Sequence, residues 1–149
     1  MDIADFLTAD RVVLDIKLRD KAHLISEAAR LCAGQLPELA PAAVESALLA
    51  RERLGSTGLG AGFALPHARV EDLDRYVGMF LRLAKPIEFD AIDGKPIDMA
   101  FVLLMPFETG VADVAALAAI ARTFRDGTVV LNLRKARTPV AVFSFLTAA

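Results

Sequence analysis

Several residue types that mark common protein classes are scarce in this chain of 149 residues. It contains no tryptophan, one tyrosine, two histidines and a single cysteine. One cysteine cannot form an internal disulfide or a cysteine-rich zinc site, so nothing here requires an oxidising compartment, and we expect a cytoplasmic protein. Two histidines and one cysteine also leave little material for a transition-metal site, so we expect no bound metal.

Neither a charge excess nor a long apolar run is present. The 17 basic and 19 acidic residues nearly cancel, which argues against nucleic acid as a partner. Although 55% of the residues are hydrophobic, no apolar run reaches the roughly 18 residues of a membrane span. Asp2 and Asp5 stand where a signal peptide would carry Lys or Arg. We therefore expect one domain, residues 1–149, with no membrane partner.

Runs typical of strands and of helices are mixed along the chain, which is typical of an α/β domain with a mostly buried central sheet. Strands are predicted over 11–18, 76–83 and 97–105, with an edge strand from Pro86 to Asp90. Helices are predicted over about 21–34, 41–53 and 111–125, with a short element near 129–133 and a helix after Pro139. An Ile-Asp-Gly sequence at 92–94 predicts a tight turn.

The segment 54–62, LGSTGLGAG, is unusually rich in glycine. This composition predicts a loop without regular structure, whose backbone approaches another group closely or adopts positive φ. His67 follows shortly after it, directly behind Pro66. The other histidine, His23, lies in the first turn of the first predicted helix, where a surface position explains it.

The residues around His67 have the chemistry that phosphoryl transfer needs. A neutral imidazole is a nucleophile at pH 7, and the transferred group needs donors for its charged oxygens. Ser56, Thr57 and the glycine backbone can provide a nest of N–H and O–H donors, and Arg51 or Arg53 can provide a bidentate cation. A structural glycine loop beside a hydrogen-bonded histidine would explain the same residues, so composition alone leaves both interpretations open.

Two longer segments resemble a known signature. Residues 51–60, RERLGSTGLG, and 62–67, GFALPH, closely resemble the active-site signature of enzyme IIA domains of the bacterial phosphoenolpyruvate-dependent sugar phosphotransferase system. They look like the fructose/mannitol type, and most like its nitrogen-regulatory branch. Residues 86–98, PIEFDAIDGKPID, followed by VLLMP at 102–106, are similar to the same branch. The resemblance extends from LTADRVVLDI at 7–16 to the last helix.

The resemblance implies a mixed central β-sheet flanked by helices and a phosphoryl group accepted on His67 from a histidine-containing phosphocarrier protein. Arg51 would neutralise phosphate charge, and Ser56 and Thr57 would shape the pocket. No cofactor is implied, because the donor is another protein, which we expect to dock on an apolar, shallow surface around His67. Members of the nitrogen-regulatory branch regulate target proteins by their phosphorylation state, so a phosphoryl carrier is expected rather than a multiple-turnover enzyme.

The sequence departs from the family pattern at one position. Family members usually carry a second active-site histidine early in the helix that follows the apolar strand. By spacing from Pro106, Ala115 takes that place here, and Asp113 is expected to face another side of the helix. The alternative function is therefore a degenerate binding module that keeps the fold and the partner surface without a phosphorylation cycle.

Overall fold

The computed structural model describes residues 1–108 and 110–148, which form a six-stranded mixed sheet with helices on both faces. The strands are β1 (Val12–Ile16), β2 (Gly58–Gly60), β3 (Phe63–Ala64), β4 (His67–Val70), β5 (Val77–Ile87) and β6 (Ile97–Pro106). The helices are α1 (Lys21–Gly34), α2 (Pro41–Arg53), α3 (Ala112–Arg125), α4 (Gly127–Lys135) and α5 (Pro139–Thr147). Two short 3-10 helices, Ile3–Asp5 and Ala9–Arg11, precede β1. Over the described ranges, no helix combines the length and the apolar character needed to cross a membrane.

The strand order is β1-β5-β6-β3-β2, and β4 also pairs with β6. β1 runs parallel to β5, and β3 and β4 both run parallel to β6. The β5–β6 and β2–β3 pairs are antiparallel. This mixed sheet with flanking helices confirms the expected fold class.

Strand β6 lies at the centre of the sheet and is buried on both faces, which explains its nearly continuous apolar sequence. Ala100, Val102 and Leu104 pack in one hydrophobic cluster with residues of α1 and α2. Phe101 and Leu103 alternate with them and pack in a second cluster with residues of α3, α4 and α5. The sheet therefore separates two hydrophobic cores.

The first two helices begin where local sequence signals predicted. The Asp20 carboxylate accepts a hydrogen bond from the backbone N–H of His23 at 2.8 Å, which caps α1. Pro41 is the first residue of α2, where its missing N–H costs no helical hydrogen bond. The predicted bounds of these two helices are confirmed.

The strand predictions were less accurate where a strand depends on a distant partner. β5 continues unbroken to Ile87, so the separate edge strand from Pro86 to Asp90 was wrong. The register of β5 against β6 shifts between Arg82 and Ile87, which accommodates a proline that cannot donate to the ladder. The glycine segment includes the short strand β2, and β4, which carries His67, was not predicted at all.

The close approach and the positive φ predicted for the glycine segment are both present. A Cβ on Gly58 would lie 2.8 Å from the Cα of Ala91, so only glycine fits there. Gly62 has a φ of +81°, and a Cβ there would meet the guanidinium of Arg134 at 2.7 Å. The segment that precedes His67 therefore packs closely against Ala91, between β5 and β6, and against Arg134 of α4.

Candidate functional site

Strand β4 holds His67 and Arg69 on one side of the sheet. Ala68 and Val70 alternate with them and are buried in the cluster formed with α1 and α2, so His67 and Arg69 project from the opposite face. β4 pairs with β6 through the register of His67 with Leu103. His67 is therefore held in a strand of the central sheet rather than in a free loop.

A groove of about 480 Å³ surrounds His67, at the place where α2, β4 and the start of α3 meet. Its charged and polar lining residues are Arg51 from α2, His67 and Arg69 from β4, and Asp113 from α3. Two apolar residues, Leu54 directly after α2 and Val114 in α3, also line it. Within residues 1–108 and 110–148, no group of three or more His, Cys, Asp or Glu side chains is placed to bind a metal ion.

The His67 ring has a defined tautomer. Its Nδ1 lies 2.7 Å from the carbonyl oxygen of Leu65, and because a carbonyl only accepts, Nδ1 must carry the proton. The other ring nitrogen, Nε2, then carries the lone pair. Burial lowers the pKa of His67 and the charge of Arg51 lowers it further, against the opposing effects of the Leu65 carbonyl and Glu52. The His67 ring is therefore neutral at pH 7, with an unprotonated Nε2.

We expect His67 to take up its proton below its ordinary pKa of 6.5. An NMR titration of the ring C–H signals measures this, with His67→Gln to assign the signal. Since the unfolded chain binds this proton more tightly than the folded protein, His67 also makes the protein less stable as pH falls below about 6.5. A titration midpoint at or above that value would contradict the lowered pKa of His67.

Arg51 is the arginine that lies beside His67. It occupies the last turn of α2, lines the groove, and donates from Nη1 to the carbonyl oxygen of Gly55 at 3.0 Å. A guanidinium has five N–H donors, so this bond leaves others for an anion. Arg53 is exposed and lines a different depression, together with Lys21. Of the two arginines that the residue chemistry left as alternatives, Arg51, the one that the family resemblance selects, lies in the groove with His67.

Ser56 and Thr57 do not line the groove, and their hydroxyl groups are engaged elsewhere. Thr57 is buried, and its N–H and hydroxyl donate to the two carboxylate oxygens of Glu52 at 2.8 and 2.6 Å. The Ser56 hydroxyl donates to the carbonyl oxygen of Phe89 at 2.8 Å and accepts from the N–H of Gly58 at 3.1 Å. Both residues are expected from the sequence to shape the pocket, and in the structure their hydroxyl groups hold the loop that follows Arg51.

Glu52 is a structural residue of the site that the sequence interpretation missed. Its buried carboxylate also forms an ion pair with Lys21 Nζ at 2.7 Å. Glu52 thereby connects α1, α2 and the loop that follows Arg51. The Lys21 ammonium lies 4.7 Å from the centre of the Phe89 ring. The available signal was the position of Glu52 inside the quoted signature, between two arginines.

Helix α3 presents Asp113, not Ala115, to the groove. Asp113 is only 5% exposed, accepts from Arg69 Nε at 3.2 Å and accepts from the Tyr76 hydroxyl. Ala115 is exposed and lies outside the groove lining. Asp113 belongs to the stripe that buries Ala116 and Ile120, at a spacing of three and seven residues. The expectations that Ala115 occupies this position and that Asp113 faces away were therefore wrong.

The sequence matches the family described as phosphoenolpyruvate-dependent sugar phosphotransferase system, EIIA 2, over residues 5–149. The chain belongs to this family of phosphotransferase system enzyme IIA domains. This finding confirms the resemblance seen in the signature around His67.

Within the family, the chain is similar to nitrogen regulatory proteins. One from Bradyrhizobium diazoefficiens is 37% identical over 146 residues, covering 98% of this chain and 95% of that protein. The crystal structure of nitrogen regulatory protein IIA-Ntr from Neisseria meningitidis has a TM-score of 0.91 at 35% identity, covering 97% of this chain and 99% of that one. A complex of enzyme IIA mannitol with phosphorylated enzyme IIB mannitol from Escherichia coli shares the fold, with a TM-score of 0.80 at 18% identity, over 96% and 98% of the respective chains.

Proposed function

We propose that this protein is a cytoplasmic phosphoryl carrier that accepts a phosphoryl group on Nε2 of His67 from a histidine-containing phosphocarrier protein. Its phosphorylation state would then regulate target proteins. The observation that carries the proposal is a neutral histidine, with Nδ1 bonded to the Leu65 carbonyl, in a groove that Arg51 also lines. Family membership and the similarity to nitrogen regulatory proteins support it.

The proposed transfer needs no external base. The lone pair of His67 Nε2 attacks the phosphorus of the donor's phosphohistidine, the donor's P–N bond breaks, and its electron pair returns to the donor's imidazole. The Nδ1 proton stays on the His67 ring, where the Leu65 carbonyl stabilises the positive charge that the ring acquires. Arg51 lines the same groove as His67, and in this proposal its guanidinium neutralises the charge on the phosphoryl oxygens.

Apolar side chains on two sides of the groove support docking of a protein donor. Leu54 at the end of α2 is 84% exposed and Val114 at the start of α3 is 73% exposed, and both line the groove. Exposed apolar residues grouped around a site are typical of a protein interface. The Escherichia coli complex pairs an enzyme IIA of this fold with a phosphorylated protein component.

The test is incubation of the protein with phosphoenolpyruvate, enzyme I and the histidine phosphocarrier, followed by intact-mass measurement. We expect an acid-labile gain of one phosphoryl group. No gain, with the donor shown to be phosphorylated in the same mixture, would refute the carrier function.

A failure to gain a phosphoryl group would favour the alternative function, a degenerate binding module. The observation in its favour is the buried carboxylate of Asp113 in the groove, because a second negative charge there opposes a phosphoryl group. A module of this kind would bind its targets equally well with and without the donor system, whereas a carrier would not.

Arg51 and Arg53 offer a matched pair of substitutions. We expect Arg51→Ala to slow phosphorylation about 100-fold, because one preorganised donor to the developing charge is lost. Arg53→Ala removes the same charge from the same helix, outside the groove, and is expected to leave the rate within about twofold. Initial rates at fixed donor concentration measure both. Equal losses in the two variants would show that only the net charge matters.

A further inference from the structure

Arg69, Asp113 and Tyr76 form a charged cluster at the edge of the groove, which the proposed transfer does not use. The Arg69 guanidinium approaches the same carboxylate oxygen of Asp113 with Nε and with Nη2, each at 3.2 Å. The Tyr76 hydroxyl donates to the other carboxylate oxygen. Both oxygens of the buried carboxylate therefore have partners, one in β4 and one immediately before β5.

The cluster holds a cation at the groove in a fixed orientation. Burial tends to raise the pKa of Asp113, but hydrogen bonds from Tyr76, Arg69 and the backbone outweigh it and hold the pKa below its usual range. Burial and Asp113 raise the pKa of Tyr76 to about 12, so its hydroxyl keeps its proton. The ion pair therefore persists at neutral pH, and Asp113 and Tyr76 orient the guanidinium.

One nitrogen of Arg69 remains for another ligand. The Arg69 side chain is 43% exposed, and its Nη1 has no hydrogen-bond partner within residues 1–108 and 110–148. His67 lies two residues earlier on the same strand, about 6.6 Å away along the backbone and on the same face. Both side chains line the groove. A phosphoryl group on Nε2 of His67 would have Arg51 on the α2 side and Arg69 on the β4 side.

We propose that Arg69 is a second phosphoryl-binding residue of the His67 site, and that Asp113 and Tyr76 are positioning residues that aim its guanidinium. This inference rests on the proposed function. The ion pair neutralises the carboxylate that would otherwise repel a phosphoryl group at this place. Arg69 thereby provides the donor that the family resemblance assigns to a second histidine.

The test loads His67 chemically, so that it does not depend on the protein donor. Phosphoramidate serves as the phosphoryl donor, and ³¹P NMR follows the protonation of the phosphoryl group with pH. A cation in contact with the oxygens favours their charged form, so we expect Arg69→Gln to raise the phosphoryl pKa by about one unit. Glutamine keeps an N–H donor for Asp113, which protects the fold. Arg69→Lys is expected to restore most of the shift.

The matched control is Arg75→Gln. Arg75 pairs with Glu38 at 3.1 Å and with Asp74 at 3.3 Å and lies outside the groove lining, so its loss is expected to leave the phosphoryl pKa unchanged. Equal shifts for Arg69→Gln and Arg75→Gln would overturn the assignment. So would a wild-type protein that phosphoramidate does not modify at His67.

The positioning role of Tyr76 is tested with a double-mutant cycle that combines Tyr76→Phe and Arg69→Gln. We expect Tyr76→Phe to shift the phosphoryl pKa in the same direction as Arg69→Gln, by less, and to have no effect once Arg69 is already glutamine. A Tyr76→Phe effect that persists in the Arg69→Gln background would overturn the positioning role. The two proposals can also fail separately. If the phosphocarrier cannot phosphorylate the protein, but Arg69→Gln still shifts the phosphoryl pKa of chemically phosphorylated protein, the proposed function is refuted and the Arg69 assignment stands.

Discussion

Replacing His67 with alanine is expected to abolish phosphoryl incorporation from the phosphocarrier while the protein remains folded. The half-buried ring makes one hydrogen bond, to the Leu65 carbonyl, so little core packing is lost. Among the described residues that line the groove, nothing replaces the lost Nε2 lone pair, since the other nitrogen-bearing side chains are permanently charged arginines. Intact mass measures incorporation, and thermal unfolding followed by circular dichroism measures the fold.

His23→Ala is the matched control, because His23 is the only other histidine of the chain. It lies in the first turn of α1 and outside the groove lining, so we expect full phosphorylation of this variant. Incorporation into His67→Ala at any other residue would refute His67 as the acceptor. Unfolding of His67→Ala under mild conditions would contradict its purely functional role.

Replacing Glu52 with alanine is expected to lower the free energy of unfolding by about 3 kcal/mol, because it breaks a buried ion pair and removes both acceptors of Thr57. The loop after Arg51 loses its anchor to α2, so phosphorylation should slow as well. Urea unfolding measures the first effect, and the initial rate of phosphorylation measures the second.

Glu45→Ala is the control for this prediction. Glu45 lies on the same helix and, in the part of the chain that the structure describes, makes no ion pair or side-chain hydrogen bond. We expect its replacement to change stability by less than about 0.5 kcal/mol. A loss below about 1 kcal/mol for Glu52→Ala would show that water replaces the Glu52 contacts.

Elements whose signals are local were predicted accurately from the sequence. An aspartate cap marks the start of α1, a proline marks the start of α2, and the central strand β6 is a nearly continuous apolar run. Each signal acts within a few residues of the element that it defines.

Elements that depend on a distant partner were not predicted. The short strands β2, β3 and β4 exist because β6 provides their hydrogen bonds, directly or through β3. The paired residues of β4 and β6, such as His67 and Leu103, are far apart in the sequence. β5 likewise passes through Pro86 because neighbouring strands support it. Their own propensities are weak, since strand formation depends largely on the neighbours across the sheet.

The candidate site also combines features that the sequence predicts with features that depend on tertiary contacts. Residue identity and spacing alone were enough to predict the family, to locate the glycine segment and to select His67 as the proposed acceptor. The family resemblance selected Arg51 over Arg53, and the structure places Arg51 in the groove with His67. That Ser56 and Thr57 anchor a loop became visible only in the tertiary contacts. The tertiary structure also decided that Asp113 rather than Ala115 completes the groove, because the helix face that packs on the core sets which residue of α3 meets β4.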